Sequence, residues 1–130
     1  VAKVAGLTDG KWCICYQSRV GPLKWIEPSL EQELERAATD GVVVVILPVA
    51  FVSEHSETLV ELDIEYRAVA ERLGIKEYYR VPAVGTHPTF IESLKDIAVS
   101  AFEKQRELSS FEEARCCPSK FHKCLSLINP

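Results

Sequence analysis

A chain of 130 residues, 47% hydrophobic and 26% charged, has the composition of one soluble globular domain with a real core, which excludes a disordered or fibrous protein. Its net charge of −4 argues against nucleic-acid binding, which needs clustered Lys and Arg to replace phosphate counterions. The longest apolar run, Val42 to Val52, is about half the ~20 residues of a membrane-spanning helix, and no signal-peptide pattern opens the chain, so a cytoplasmic protein is expected. The first residue is Val rather than Met, and the chain therefore reads as a piece of something longer.

In chain order, VAKVAGLTDG reads as a helix end followed by a turn at Asp9-Gly10. KWCICYQSRVG follows as a strand that stops at Gly21-Pro22, with Cys13 and Cys15 as buried thiols on one of its faces. Ser29 and Gln32 have the spacing of a capping box, and Leu30, Leu34 and Ala37 then recur on one helical face until Asp40-Gly41. The run VVVVILPVAF is apolar throughout, which suits a central strand buried on both faces of a parallel sheet.

The stretch from Phe51 to Gly74 opens on a polar turn, with His55 between Glu54 and Glu57. It continues as a helix with an apolar stripe of Leu59, Leu62, Tyr66, Val69 and Leu73, closed by Gly74. Glu57, Glu61 and Glu65 recur every four residues and share another face. They have no basic residue at i+4 spacing; only Asp63 does, in Arg67. KEYYRVPAV is a third strand, and Pro88 starts a helix carrying Phe90, Leu94, Ile97 and Phe102.

Alternating strands and helices predict a three-layer α/β sandwich with a small parallel sheet over residues 1–105, followed by a cysteine-containing tail over 106–130. No glycine-rich phosphate loop is present. Ligands of such sheets bind beyond the carboxyl ends of the strands, where QSRVGPLKW and AFVSEHSET fall. A neutral imidazole beside two carboxylates can accept a proton or bind a divalent cation; the plainer alternative is a solvated His55 beside acidic residues that favour the helix dipole. Likewise the acidic stripe is either a solvated face or a route handing a hydrated cation toward His55. Val20, Gly21, Pro22, Leu23 and Trp25 form an apolar lip opposite Phe51, suited to a flat apolar ligand or to ordinary packing. The tail thiols Cys116, Cys117 and Cys124 leave three readings open: reduced surface thiols, a [2Fe-2S] cluster, or a zinc site that includes His122.

YQSRVGPLKWIEPSLE, PVAFVSEHSETLVELDIEYR and YYRVPAVGTHPTFIESLKDIA resemble, in order and spacing, the C-terminal half of ferrochelatase, over roughly Trp12 to Ala98. The resemblance implies one of two similar Rossmann-like halves of an enzyme that inserts ferrous iron into protoporphyrin IX, with the porphyrin between the halves. It implies catalytic roles for His55 and Glu57, in proton removal or metal delivery. Glu61 and Glu65 match an acidic line that conducts metal inward, and Asp96 an acidic residue near an outer metal site. Val20, Trp25 and Phe51 match porphyrin-pocket residues, and Glu54 occupies a position there often filled by Asp. The family's other principal catalytic His belongs to the N-terminal half, so the isolated chain is expected to be inactive. Some family members carry a [2Fe-2S] cluster through C-terminal cysteines. The implied partners are porphyrin and the N-terminal half, with no nucleic acid and no transmembrane segment, though peripheral membrane contact stays open. Two alternatives remain: half of a coproporphyrin or cobalt chelatase, and a non-catalytic module binding metal or tetrapyrrole.

Overall fold

A computed structural model describes residues 1–18, 21–22 and 24–104. The chain divides into two compact units, Val1–Ala83 and Val84–Pro130. The fold is mixed α/β with a small parallel sheet. Val20, Cys116, Cys117 and Cys124 lie outside the described residues.

The first unit begins with one hydrogen-bonded turn, Ala5 N–H donating to Val1 O, that closes at Gly6 with φ 69°. The described residues of the segment expected as the first strand, 11–18 and 21, form no strand. Their ladder is a single bridge between Tyr16 and Ser29, and Trp12, Ile14 and Cys13 are exposed. Aromatic and branched side chains favour extended backbone, but a strand also needs a neighbour to exchange bonds with, and among the described residues only 28–30 supply one. The expectation of two buried thiols fails for the same reason. Only Cys15 packs on the core, while Cys13 donates its thiol to Glu33 at 3.0 Å. Burial pushes the Cys15 thiol up to about 11, so it behaves as an apolar filler.

Helix α1 (Leu30–Asp40) forms where the capping box predicts it. Ser29 N–H donates to Gln32 Oε1 at 2.8 Å, and Gln32 N–H returns to Ser29 Oγ at 3.2 Å. Gly41, at φ 64°, ends the helix in the left-handed conformation that a side chain would strain. Strand β1 (Val44–Ile46) pairs in parallel with β2 (Tyr78–Arg80), in the register Val44–Tyr78, Val45–Tyr79 and Ile46–Arg80. Contrary to the expectation of a strand buried on both faces, Val45 is 61% exposed and Tyr79 54%, whereas Val44, Ile46 and Tyr78 pack into the core. The all-apolar run therefore conceals a two-residue alternation in burial.

Between the strands runs a wide helix, Glu57–Glu65, of the π type, followed without a break by α2 (Tyr66–Arg72). Closing on i→i+5 bonds puts more than 3.6 residues in each turn. Positions four apart then stay in line, and positions three apart fall away. The expected stripe changes accordingly: Leu59 is 47% exposed, and the buried line runs through Thr58, Leu62 and Ala70, each 0% exposed, with half-buried Tyr66 between the last two. Leu62 meets Leu30, Leu34 and Ala37 of α1, Ala70 of α2, Ile75 and Tyr78 in one core cluster.

In the second unit, Pro88 opens α3 (Pro88–Lys104), with its missing N–H at a position where no helical bond is lost. Phe90 is half-buried, while Leu94, Ile97, Phe102 and Asp96 are exposed.

Replacing Leu62 with Ala deletes a fully buried side chain from the centre of the cluster, and the expected cost is about 2–5 kcal/mol of stability. Urea unfolding of both chains reads this directly, and a loss below about 1 kcal/mol contradicts the assigned core position.

Candidate functional site

His55 stands at the head of the wide helix and is held there by its backbone. Its N–H donates to Thr58 Oγ1 at 2.9 Å, and the Thr58 hydroxyl donates to His55 O at 3.0 Å, so a fully buried side chain fixes both backbone groups. Its ring is half-buried, with an edge-on contact to Phe51 at 4.4 Å between centroids. The Glu57 N–H donates to His55 Nδ1 at 3.1 Å, which assigns the proton of the neutral imidazole to Nε2.

Glu57 and Glu61, four residues apart, converge on the loop after Tyr16. The Ser18 hydroxyl lies 2.6 Å from Glu61 Oε2 and 3.1 Å from Glu57 Oε2, so its single proton serves one carboxylate at a time. The Ser18 N–H donates to Glu61 Oε1 at 3.2 Å, and Gln17 Nε2 donates to Glu61 Oε2 and to Glu57 O, both at 3.0 Å. Ser18 adopts φ 60°, a left-handed conformation rare outside Gly, and its contacts to the two carboxylates offset that strain. Trp25 Nε1 donates to Gln17 O at 3.2 Å, so the same loop carries the indole. Two carboxylates around one hydroxyl repel each other, and a proton or a cation placed between them relieves the repulsion.

Glu54 and Asp63 serve a different purpose. Arg80 forks onto both: Nε and one terminal nitrogen each lie 2.6 Å from Asp63, and the other lies 2.8 Å from Glu54. This corrects the expected Asp63–Arg67 pair, because Arg67 Nε instead donates to the Asp63 backbone carbonyl at 3.1 Å and an arginine from β2 takes the carboxylate. The Thr58 hydroxyl, whose single proton is shared with His55 O, the Arg80 guanidinium and the Ala83 N–H hold the Glu54 carboxyl down at about 2. The Arg80 guanidinium likewise holds Asp63 below the usual carboxylate range.

A cleft of about 810 Å³, within the usual size of ligand pockets, lies beside this cluster. Trp25, Gln17, Ser18, Glu61 and Tyr66 line it, and burial with the nearby Glu31 and Glu61 carboxylates pushes the Tyr66 hydroxyl up to about 12, so it is present as a neutral donor. Among the described residues, His55 and Phe51 do not line it, contrary to the expected cleft with a His55 floor. Ser18 both lines the cleft and bonds Glu57, and so links the cleft to the carboxylate pair. Glu65 is exposed, and Asp96 is exposed on α3 of the second unit. Among the described residues no three His, Cys, Asp or Glu side chains form a metal-holding group. No described helix is long and apolar enough to cross a membrane.

Gln17, Ser18, Thr58 and Arg80 are the residues that sequence reasoning did not single out. Their only advance signal was the position of Gln17 and Ser18 in a strand-end loop.

A family model described as Ferrochelatase matches residues 1–101. The chain is 46% identical over 123 residues to a ferrochelatase of Hyphomonas neptunium, covering 93% of this chain and 34% of that protein. A ferrochelatase of Rickettsia typhi is 45% identical over 132 residues, covering 99% of this chain and 38% of its own length. A ferrochelatase of a Wolbachia from Drosophila simulans reaches 58% over 91 residues, covering 68% of this chain and 27% of that protein. The chain thus spans about a third of the length of the curated relatives it matches.

The lowered Glu54 and Asp63 carboxyls make the Arg80 cluster pH-dependent. A depressed folded-state pKa stabilises above the unfolded value, 4.5 for Glu54, and that stability is lost as pH falls through the folded value of about 2. Glu54→Gln is therefore expected to be less stable than the native chain at pH 6, with the gap closing as pH falls from 4.5 toward 2. Thermal unfolding across that range measures it; a gap independent of pH contradicts the charged pair.

Proposed function

The chain belongs to the ferrochelatase family, and from that premise we propose that it is the C-terminal half of an enzyme that inserts ferrous iron into protoporphyrin IX, releasing two protons as protohaem forms. In this reading residues 1–105 form one Rossmann-like αβα half, residues 106–130 a tail, and the N-terminal half supplies the facing wall of the porphyrin site. The protein acts in the cytoplasm, with peripheral membrane contact as a further part of the reading. The observation that carries the proposal is the convergence of Glu57 and Glu61 on the Ser18 hydroxyl, at the helix headed by His55.

Metallation exchanges two pyrrole protons for one dication, so the site needs proton acceptors and a path for iron. His55 and Glu57 are the proposed catalytic pair. Neutral His55 has its free lone pair on Nδ1, where it accepts the Glu57 N–H; taking up a proton there requires that bond to open. The Glu57 and Glu61 carboxylates accept protons with no such rearrangement, and the Ser18 hydroxyl between them can pass one across. Glu61 and Glu65 are the proposed acidic line for incoming iron, and Asp96 is proposed separately as an acidic residue near an outer metal site. That ion is a substrate in transit, a role that suits carboxylates spaced along a helix better than a closed ligand cage. Val20, Trp25 and Phe51 contribute apolar walls for the macrocycle. Glu54, the fourth proposed pocket residue, is committed to Arg80 and supports the pocket through the turn that it anchors. The tail thiols Cys116, Cys117 and Cys124 are of the donor type that a [2Fe-2S] cluster takes, and no part of this chemistry passes through them.

Zinc insertion into protoporphyrin, followed by fluorescence, tests the reading. The full-length polypeptide is expected to be active, and His55→Ala or Glu57→Gln to lower kcat by about 10²–10⁴. The 130-residue chain alone is expected to be inactive. A chain alone that matches the full-length rate, or variants that keep full activity, contradicts it.

A further inference from the structure

We infer that Arg80 is a positioning residue for His55 and Glu57, an inference that rests on the chelatase reading and adds to it a group that touches none of the reacting atoms. Its side chain is 9% exposed, and it grows from the paired strand β2, opposite Ile46, so its base is fixed by the sheet. Nε and one terminal nitrogen grip both oxygens of Asp63 at 2.6 Å, and the other terminal nitrogen reaches the two oxygens of Glu54 at 2.8 and 3.0 Å. Glu54 immediately precedes His55, and Asp63 follows Glu61 by two positions. One guanidinium therefore holds both ends of the stretch 54–63, and His55, Glu57 and Glu61 all lie between its two anchors. The Ala83 N–H adds a third tie to Glu54 at 2.9 Å. Arg80 does not line the cleft, so it acts through the backbone it pins. A planar fork with five donors can hold two carboxylates at once in fixed orientation; an ammonium supplies the charge without the orientation.

That difference supplies the test. In the full-length polypeptide, Arg80→Lys keeps the positive charge and is expected to hold the thermal midpoint within about 5 °C of native. Its kcat for zinc insertion is expected to fall about tenfold or more, with KM for porphyrin within about twofold, because misplaced groups cost turnover rather than binding. The ring resonances of His55 in the resting enzyme, read by NMR with labelled histidine, are expected to shift in the same variant. Arg80→Gln, which loses charge as well, is expected to lose both stability and turnover. Native kcat together with unshifted His55 resonances in Arg80→Lys overturns the positioning role and leaves Arg80 an ordinary ion pair. A native enzyme that inserts no metal overturns the chelatase reading instead, and the His55 resonances then decide the positioning role alone.

Discussion

The candidate site is carried by a helix that departs from α-helical geometry. The Tyr66 N–H reaches back to Glu61 O, one residue beyond the acceptor that an α-helix would use. That acceptor, Leu62 O, receives the buried Tyr78 hydroxyl at 2.9 Å, and the next carbonyl, Asp63 O, receives Arg67 Nε at 3.1 Å. Side chains from β2 and from the following turn thus satisfy carbonyls that the wide turn would leave poorly paired. The result is a helix in which Thr58 and Leu62 face the core while Glu57 and Glu61 line up toward the Ser18 loop.

The acidic residues divide into two sets with opposite uses. Glu54 and Asp63 share the one positive charge of Arg80 and serve as anchors, held in their charged form by it. Among the described residues, Glu57 and Glu61 meet neutral donors instead, Ser18 and Gln17, which orient them. A site that must take up protons or pass a dication needs carboxylates of the second kind, and it needs them stationary, which the first kind provides.

The sequence made local features legible. The Ser29–Gln32 capping box, the Gly41 stop and the Pro88 start are each decided by residues within a few positions, and each appears where expected. The His55–Glu57 turn also stood out, because a histidine between carboxylates is unusual chemistry in a short span. Long-range choices were not visible. Asp63 and Arg80 are separated by 17 residues, Glu54 and Arg80 by 26, and Arg67 offered a nearer cation at helical spacing. A four-residue repeat of Glu suits a wide helix as well as an α-helix, so nothing in the spacing revealed the i→i+5 closure that exposes Leu59. The expected first strand failed because composition reports what backbone a segment prefers and not whether a neighbour is there to pair with it.

The most direct measurement is the acceptor of the Tyr66 amide. Scalar coupling across hydrogen bonds, recorded by NMR on the labelled protein, reports which carbonyl each amide reaches. Coupling from Tyr66 N–H to Glu61 carbonyl is the result this account predicts. Coupling to Leu62 carbonyl would describe an ordinary α-helical turn there and would contradict the i→i+5 closure of this helix.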